Sequence, residues 1–218
     1  ERRGRQIARA RNLIRLASVE HDSLIQVGLK LVSVTVDQDG HITHSTPWPP
    51  QSDENGQASL VMLDGSLYSV EVHNLEPAET GRPIYVTLLH VDANMGMDVL
   101  LPFQAGGDPA EEQKVLPGKS RNCGAWECNS DDPAAGPKVY GPRWAIVLAT
   151  REPHDFTMLQ HASLPVVRSK APQSPESSLQ TLLLEQTHFR TRGGAKPLRP
   201  VKLFDETWKA EIIEWVAT

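Results

Sequence analysis

The stretch from Pro83 to Phe103 constrains the fold more than any other part of the sequence, because it holds two apolar runs separated by a polar tip. Side chains alternate along a strand, and in the first run both alternating sets are apolar. The two sets are Ile84, Val86 and Leu88 on one face and Tyr85, Leu89 and Val91 on the other. Two apolar faces are typical of a strand that is covered on both sides. The stretch therefore predicts a hairpin at the centre of a β-sandwich.

The tip of this hairpin, from Asp92 to Gly96, predicts a turn in which Asn94 and Gly96 are the residues that best tolerate positive φ. The return strand is predicted from Asp98 to Phe103. The chain contains 17 prolines and 15 glycines in short clusters, a distribution that favours many strands joined by loops over long helices. The predicted fold class is therefore mainly β.

Three further segments predict strands of the same sandwich. Leu24 to Asp37 is apolar first on one face and then on the other, which predicts a bulge or a crossing between sheets. Arg143 to Thr150 is almost continuously apolar and predicts a second central strand. Thr207 to Ala217 predicts the last strand, again with one change of phase. Lys119 to Pro142 is predicted to be a long irregular loop.

The sequence also predicts two helices. Residues 2–18 place apolar side chains on one helical stripe and six arginines around the rest. Such arginines suit an anionic membrane or nucleic acid, but packing of the stripe on the sheet or on a preceding domain is the preferred interpretation. A second helix is predicted from Ser178 to His188, after a flexible connector from Ser169 to Ser177. The predicted regions are an N-terminal amphipathic helix at 1–20, a β-sandwich domain at 21–167, and a connector, helix and terminal strand at 168–218 that dock on the sandwich.

Composition excludes several classes of function. The net charge is −5 and the pI about 5.9, which is not the basic balance of a general nucleic-acid binder, so no nucleic-acid partner is expected. No apolar run reaches the roughly 20 residues that cross a bilayer, so we expect a soluble chain without a transmembrane segment. The sequence begins with Glu1 and has no signal-peptide pattern, which predicts a piece of a longer protein. The compartment stays open.

Two cysteines, Cys123 and Cys128, lie in the predicted irregular loop. A disulfide would close a small ring with a modest entropic gain, and two free thiols are equally open. Nearby Asp131 and Asp132 suggest a metal site, but zinc takes four ligands and closer cysteine pairs. As a nucleophile, Cys123 is disfavoured, because it follows the basic loop 118–121 and not a strand that would hold it rigid.

The histidines are weak candidates for chemistry. His41 and His44 are spaced as two metal ligands, without a third in the sequence. His90 lies in the two-faced strand beside Asp92, where a packed histidine is favoured over a general base. No nucleophile elbow, phosphate loop, dinucleotide fingerprint or His-Glu-x-x-His helix is present. The sequence therefore predicts no catalytic, cofactor-binding or metal-binding residue.

Five tryptophans offer surfaces for a carbohydrate or peptide groove. Trp144, Trp208 and Trp215 fall in strand patterns and are predicted to belong to the core. Trp48 and Trp126 lie in predicted loops and are the only plausible surface aromatics.

Residues 60–165 carry an ordered set of motifs: a tyrosine-bearing strand, an aspartate-initiated turn with glycine, Leu-Leu-Pro, Leu-Pro-Gly, and Gly-Pro-Arg-Trp-Ala-Ile-Val-Leu-Ala-Thr-Arg-Glu-Pro. This order resembles an uncharacterised β-rich domain found C-terminal to bacterial caspase-like cysteine peptidase domains, and occasionally beside kinase domains. The segment from Leu179 to Trp215 resembles tails that follow such domains. Two features depart from the family pattern: the turn has Asn94, Met95 and Gly96 where Asp-Gly is common, and the loop 119–142 is longer.

The resemblance implies association with a protease and not proteolysis by this chain, because the caspase-type His-Gly and Asp-x-Cys pair is absent. It implies a non-catalytic accessory or regulatory module of a larger caspase-like cysteine peptidase protein. The expected partner is the peptidase domain, in the same or a companion chain, and no cofactor is expected. Two alternatives stay open: a cysteine hydrolase that uses Cys123 with His154 or His161, and a stand-alone ligand-binding sandwich with a pocket around Trp48 or Trp126.

Overall fold

The computed structural model describes residues 2–19, 23–52, 58–102, 108–129, 138–156, 159 and 208–218. Within these ranges the chain is mainly β, with helices at Arg2–Ala17 (α1) and Pro109–Gln113 (α2). The strands are Val27–Val36 (β1), Ile42–Pro47 (β2), Gln51–Ser52 (β3), Ala58–Ser59 (β4), Val61–Met62 (β5), Leu67–Asn74 (β6), Ile84–Val91 (β7), Met97–Leu101 (β8), Lys114–Val115 (β9), Ser120–Asn122 (β10), Trp126–Glu127 (β11), Gly141–Thr150 (β12) and Trp208–Ala217 (β13).

Two sheets face each other. The first has the order β10-β6-β1-β2, with β11 also paired to β6. The second has the order β5-β13-β12-β7-β8, with β9 also paired to β7, and β3 pairs only with β4. The strand pairs are antiparallel except β13 with β5. This arrangement confirms the predicted β-sandwich.

Two apolar cores lie on opposite sides of the second sheet. The inner core fills the space between the sheets and includes Val70 and Leu88. The outer core lies between the second sheet and α1 and includes Leu13 and Leu89. Because Leu88 and Leu89 are neighbours on β7 and both are fully buried, this strand is covered on both faces, as its apolar pattern predicts.

Helix α1 packs on the second sheet through one face and contacts β12 and β13. That face consists of Ala10, Leu13, Leu16 and Ala17, all buried. Arg11 and Arg15 are exposed on the opposite side. The preferred interpretation, that the apolar stripe of the N-terminal helix packs on the sheet or on a preceding domain, is confirmed for the sheet.

The turn of the central hairpin differs from the predicted one. The residue with positive φ is Met95, at 64°, and neither Asn94 nor Gly96 has it. Asp92 fixes this turn, because its Oδ1 accepts from the backbone N–H of Gly96 at 2.7 Å and its carbonyl accepts from the N–H of Met95 at 2.9 Å. The hydrogen bonds of Asp92 therefore place the positive φ at Met95, and not at Asn94 or Gly96, the two residues of the turn that tolerate it best.

Neither β1 nor β13 has a bulge at the point where its apolar residues change from one face to the other. β13 pairs with β12 residue by residue from Trp208 to Ala217, without a shift. Its residues Trp208, Ala210 and Ile212 reach the outer core, and Ile213, Trp215 and Ala217 reach the inner core. β1 pairs with β6 without a shift from Val27 to Ser33, and its register shifts opposite β2, between Thr35 and Val36. The bulge predicted for β1 is therefore present, but a few residues after the phase change, and β13 has no shift against β12.

The terminal strand is a member of the second sheet, since β13 lies between β12 and β5. Lys119 to Pro142 was predicted as an irregular loop, but its described part contains β10, β11 and the start of β12. The predicted connector 169–177 and helix 178–188 lie outside the described residues. Among the described helices, none is long and apolar enough to cross a membrane.

Candidate functional site

One end of the inner core is polar, and this polar end is the candidate site. We define it by Tyr68 of β6, His90 of β7, Arg143 of β12 and Trp215 of β13. Strand alternation carries His90 onto the same face as the inner-core residues of β7. Arg143 lies directly opposite Trp215 in the sheet register, and the neighbouring β12 residue on that face, Ala145, lies opposite His90. The four side chains therefore gather from both sheets.

Arg143 is the centre of this polar end and is only 7% exposed. Its guanidinium donates to the Oδ1 of Asn129 and to the carbonyl of Val139 at 2.7 Å. These acceptors are neutral, and in the described part of the chain no carboxylate forms an ion pair with Arg143. Its Nε has no hydrogen-bond partner. A buried cation without a carboxylate partner is unusual, because burial of a charge is unfavourable unless it is compensated.

Asn129 links this buried cation to the surface. It adopts a positive φ of 49°, and its Nδ2 donates to Asp64 at 2.9 Å. Asp64 also accepts from Lys138 at 3.0 Å and from the hydroxyl of Tyr140 at 2.9 Å. The pKa of Asp64 lies below its ordinary value, chiefly because of the Asn129 and Lys138 hydrogen bonds. One amide thus separates the Asp64 carboxylate from the Arg143 guanidinium.

His90 stacks on Trp215, with ring centroids 5.8 Å apart. Burial and the nearby Arg143 charge lower the pKa of His90 to about 3, so its imidazole is neutral at neutral pH. The Nε2 of His90 and the Nε1 of Trp215 are buried, and neither has a hydrogen-bond partner. Tyr68 also packs against the indole, with ring centroids 5.6 Å apart, and burial raises the pKa of its hydroxyl. The packed histidine preferred from the sequence is therefore found, but its polar nitrogen is unpartnered.

Both cysteines are fully buried in the inner core. The backbone N–H of Cys123 donates to the carbonyl of Val70 at 2.9 Å, directly after β10. Burial raises the pKa of the Cys123 thiol to about 12, and it raises the pKa of Cys128 as well. The expectation that nothing holds Cys123 rigid was wrong, because pairing with β6 fixes its backbone. A thiol with so high a pKa carries almost no thiolate at neutral pH.

The two thiols are free, and their positions on the sheet explain why. Cys123 bonds to Val70, whereas the N–H of Cys128 bonds to the carbonyl of Ser66. Four residues of extended chain separate those partners, which corresponds to about 13 Å. A disulfide requires Cα atoms closer than about 7 Å. The choice left open by the sequence is settled in favour of two free thiols.

Neither thiol has a catalytic partner among the described residues. The Sγ of Cys123 lies 3.9 Å from the backbone carbonyl of Arg121. His154 instead packs edge-on against Phe156 at 5.9 Å, and Phe156 belongs to the outer core. His161 lies outside the described residues. The described chain therefore does not bring together the nucleophile and base that the hydrolase alternative requires.

The structure does not bring His41 and His44 together in one group of possible metal ligands. His41 joins Asp37 and Asp39 in the exposed β1–β2 turn, where their ligand atoms lie within 4.8 Å of one another. Asp37 holds this turn by accepting from the N–H groups of Asp39 and His41 at 3.0 Å and 2.8 Å. His44 is exposed on β2 and is not part of this group. Asp131 and Asp132, considered with the cysteines, lie outside the described residues.

Trp48 and Trp126 are anchored to the inner core and are not free surface aromatics. The Nε1–H of Trp48 donates to the carbonyl of Val61 at 2.9 Å. Trp126 lies 6.1 Å from Tyr68, ring to ring. Both side chains are half-buried. Trp126 therefore joins the edge of the polar end, a role that its predicted loop position did not indicate.

Arg143 and Asn129 were not singled out from the sequence. The available signal was an arginine at the start of the almost continuously apolar run Arg143 to Thr150, since a charged residue in a two-faced strand must be either exposed or compensated. Comparison with protein-family models, with curated proteins and with solved structures gave no match.

Proposed function

We propose that this chain is a non-catalytic accessory or regulatory module of a larger caspase-like cysteine peptidase protein. One observation carries the non-catalytic part: both thiols are buried, the pKa of each is raised, and neither contacts an imidazole in the described chain. A peptidase nucleophile requires the opposite, an accessible thiol with a lowered pKa beside a base.

The motif order from residue 60 to residue 165 supports the caspase-like context. These motifs coincide with the parts of the chain that build the sandwich: β7, β8, the Leu-Pro-Gly that follows β9, and β12. The motifs shared with that family thus lie in strands of the sandwich, which leaves the loops and surfaces to carry the function. Such a domain is suited to binding or positioning a neighbouring domain.

The first experiment tests catalysis by the chain alone. Cys123→Ala and Cys128→Ala form a matched pair, because both remove a buried thiol of the inner core. We expect no hydrolysis of peptide substrates by the chain or by either variant. We also expect alkylating reagents to label both thiols slowly in the native chain and fast after denaturation. Hydrolysis that disappears in Cys123→Ala and persists in Cys128→Ala would establish the hydrolase alternative.

The second experiment tests the accessory role. The chain is mixed with the caspase-like peptidase domain encoded in the same or an adjacent reading frame, and kcat, KM and thermal stability of the peptidase are measured. We expect saturable binding that changes at least one of these quantities. Absence of binding, both in trans and when the two are joined in one chain, contradicts the proposal.

A further inference from the structure

We propose that the polar end of the inner core, formed by Tyr68, His90, Arg143 and Trp215, binds a small monovalent anion. The ligand class is a hydrogen-bond acceptor of about the size of water, such as chloride, nitrate or formate. This site is independent of the proposed accessory role, because it depends only on groups inside the sandwich.

The first argument is hydrogen-bond accounting. Three buried nitrogens of this cluster have no hydrogen-bond partner among the described residues: Nε of Arg143, Nε1 of Trp215 and Nε2 of His90. The first two can only donate, and the third donates in one of the two neutral tautomers. Buried donors are almost always satisfied by protein, water or a bound ion. Three unpartnered nitrogens on adjacent side chains therefore indicate a shared acceptor.

The second argument is proximity. Arg143 and Trp215 are direct cross-strand neighbours, which places their Cβ atoms about 5 Å apart. His90 stacks on the Trp215 ring at 5.8 Å and stands opposite Ala145, one diagonal step from Arg143. The three nitrogens thus belong to side chains that touch or face one another across β7, β12 and β13.

The third argument is charge, which favours an anion over a water molecule. The guanidinium of Arg143 is buried, and its hydrogen-bond acceptors among the described residues, Asn129 and Val139, are neutral. The Asp64 carboxylate is separated from it by the Asn129 amide. A bound monoanion would compensate the buried charge, whereas water would satisfy the donors and leave the charge uncompensated.

The polar end lies near the surface of the sandwich, since His90 and Trp126 are half-buried. The three nitrogens themselves are buried, and the rings of Tyr68 and Trp215 pack beside them. A small ion therefore fits this environment better than a large one, because a large ion would have to displace packed rings.

The test uses the full chain in gluconate, an anion too large for the site, at constant ionic strength. Chloride, nitrate and formate are then added separately over the millimolar range. The readouts are the midpoint of thermal unfolding, tryptophan fluorescence and, for chloride, the broadening of the chloride NMR signal. We expect a saturable fluorescence and NMR response with at least one anion and an unfolding midpoint that rises with its concentration.

Two tryptophan variants make the test specific. Trp215→Phe removes the indole donor and keeps an aromatic ring, and we expect anion affinity about tenfold weaker. Trp144→Phe is the matched control, because Trp144 is adjacent to Arg143 in the chain but packs on the outer core, and we expect affinity unchanged. Circular dichroism checks that both variants are folded.

Two outcomes overturn the proposal. One is the absence of a saturable response to all three anions, which would mean that water alone occupies the polar end. The other is an equal response in Trp215→Phe and Trp144→Phe, which would place the anion elsewhere on the protein.

Discussion

Both faces of the second sheet are buried, but they differ in whether their buried polar groups have hydrogen-bond partners. On the outer face, Thr87 is buried and has a partner, because Gln113 donates to its hydroxyl at 3.1 Å. On the inner face, His90, Arg143 and Trp215 each have a buried nitrogen without a partner. The outer core is therefore a packing surface under a helix, while the inner core ends in a site with unused hydrogen-bonding capacity. Burial alone does not distinguish the two.

The largest expected effect tests whether both faces are equally buried. Leu88→Ala removes a side chain from the inner core and Leu89→Ala removes one from the outer core, at adjacent positions of β7. Each should lower the free energy of unfolding by about 3 kcal/mol, because both leucines are fully buried. Urea unfolding of both variants measures this. A negligible loss in Leu89→Ala alone would mean that α1 does not cover the sheet in solution.

The second prediction tests how α1 packs on the outer face of the second sheet. Leu13→Ala truncates a buried side chain of α1 that belongs to the outer core. It should lower the free energy of unfolding by about 2 to 3 kcal/mol. Arg11→Ala, on the exposed side of the same helix, is the control and should change it by less than about 0.5 kcal/mol. Equal effects of the two substitutions would contradict the observed orientation of α1.

The third prediction concerns the inner core and the pH dependence of the free energy of unfolding. The pKa of His90 is lowered from an ordinary 6.5 to about 3 in the folded chain. The unfolded chain therefore binds the proton more readily between these values, and stability falls as the pH decreases from about 6.5 towards 3. The loss attributable to His90 is at most about 1.4 kcal/mol for each pH unit.

Replacing His90 with glutamine should flatten this dependence. Unfolding free energies of the chain, of His90→Gln and of His44→Gln are compared from neutral pH down to about pH 4. His44→Gln is the control, since it removes an exposed histidine of β2 and leaves the inner core unchanged. If His90→Gln keeps the full pH slope of the unsubstituted chain, His90 is not desolvated as the fold requires.

The smallest expected effect again concerns α1. Gly4 lies in this helix, is exposed, and a Cβ there would meet no atom within 4 Å. Gly4→Ala should stabilise the protein by about 0.5 to 1 kcal/mol, because alanine has the higher helix propensity. Gly81→Ala is the contrasting variant, since its Cβ would lie 2.6 Å from the carbonyl oxygen of Pro77, and it should destabilise. Stabilisation by both would show that the corner at Gly81 is not packed as described.

Strand alternation was sufficient to predict much of the framework. The two apolar faces of β7 predicted its double coverage, and the run beginning at Arg143 predicted a second central strand; both are confirmed. The same pattern misled at β13, where two apolar sets were interpreted as a shift of register. A sequence pattern cannot distinguish a bulge from a strand covered on different faces at its two ends, because both produce the same order of apolar residues.

The candidate site was beyond prediction for a related reason. His90 and Arg143 are 53 positions apart in the sequence, and only the pairing of β7 with β12 brings them together. Cys123 was interpreted as a loop residue because the strand directly before it, β10, has three residues and no apolar alternation. Strands of that length are formed by the neighbouring strand to which they bond, and not by their own composition.

The sequence by itself determined the apolar faces of α1, β7, β12 and β13, because alternation and helical spacing are local properties of the chain. Only the tertiary structure decided what the buried polar groups meet, which thiols can approach each other and which face of a sheet lies under a helix. These outcomes depend on register and on layer order, and both are set by contacts between segments far apart in the chain. For this protein, local pattern defined the framework and long-range pairing created the polar end.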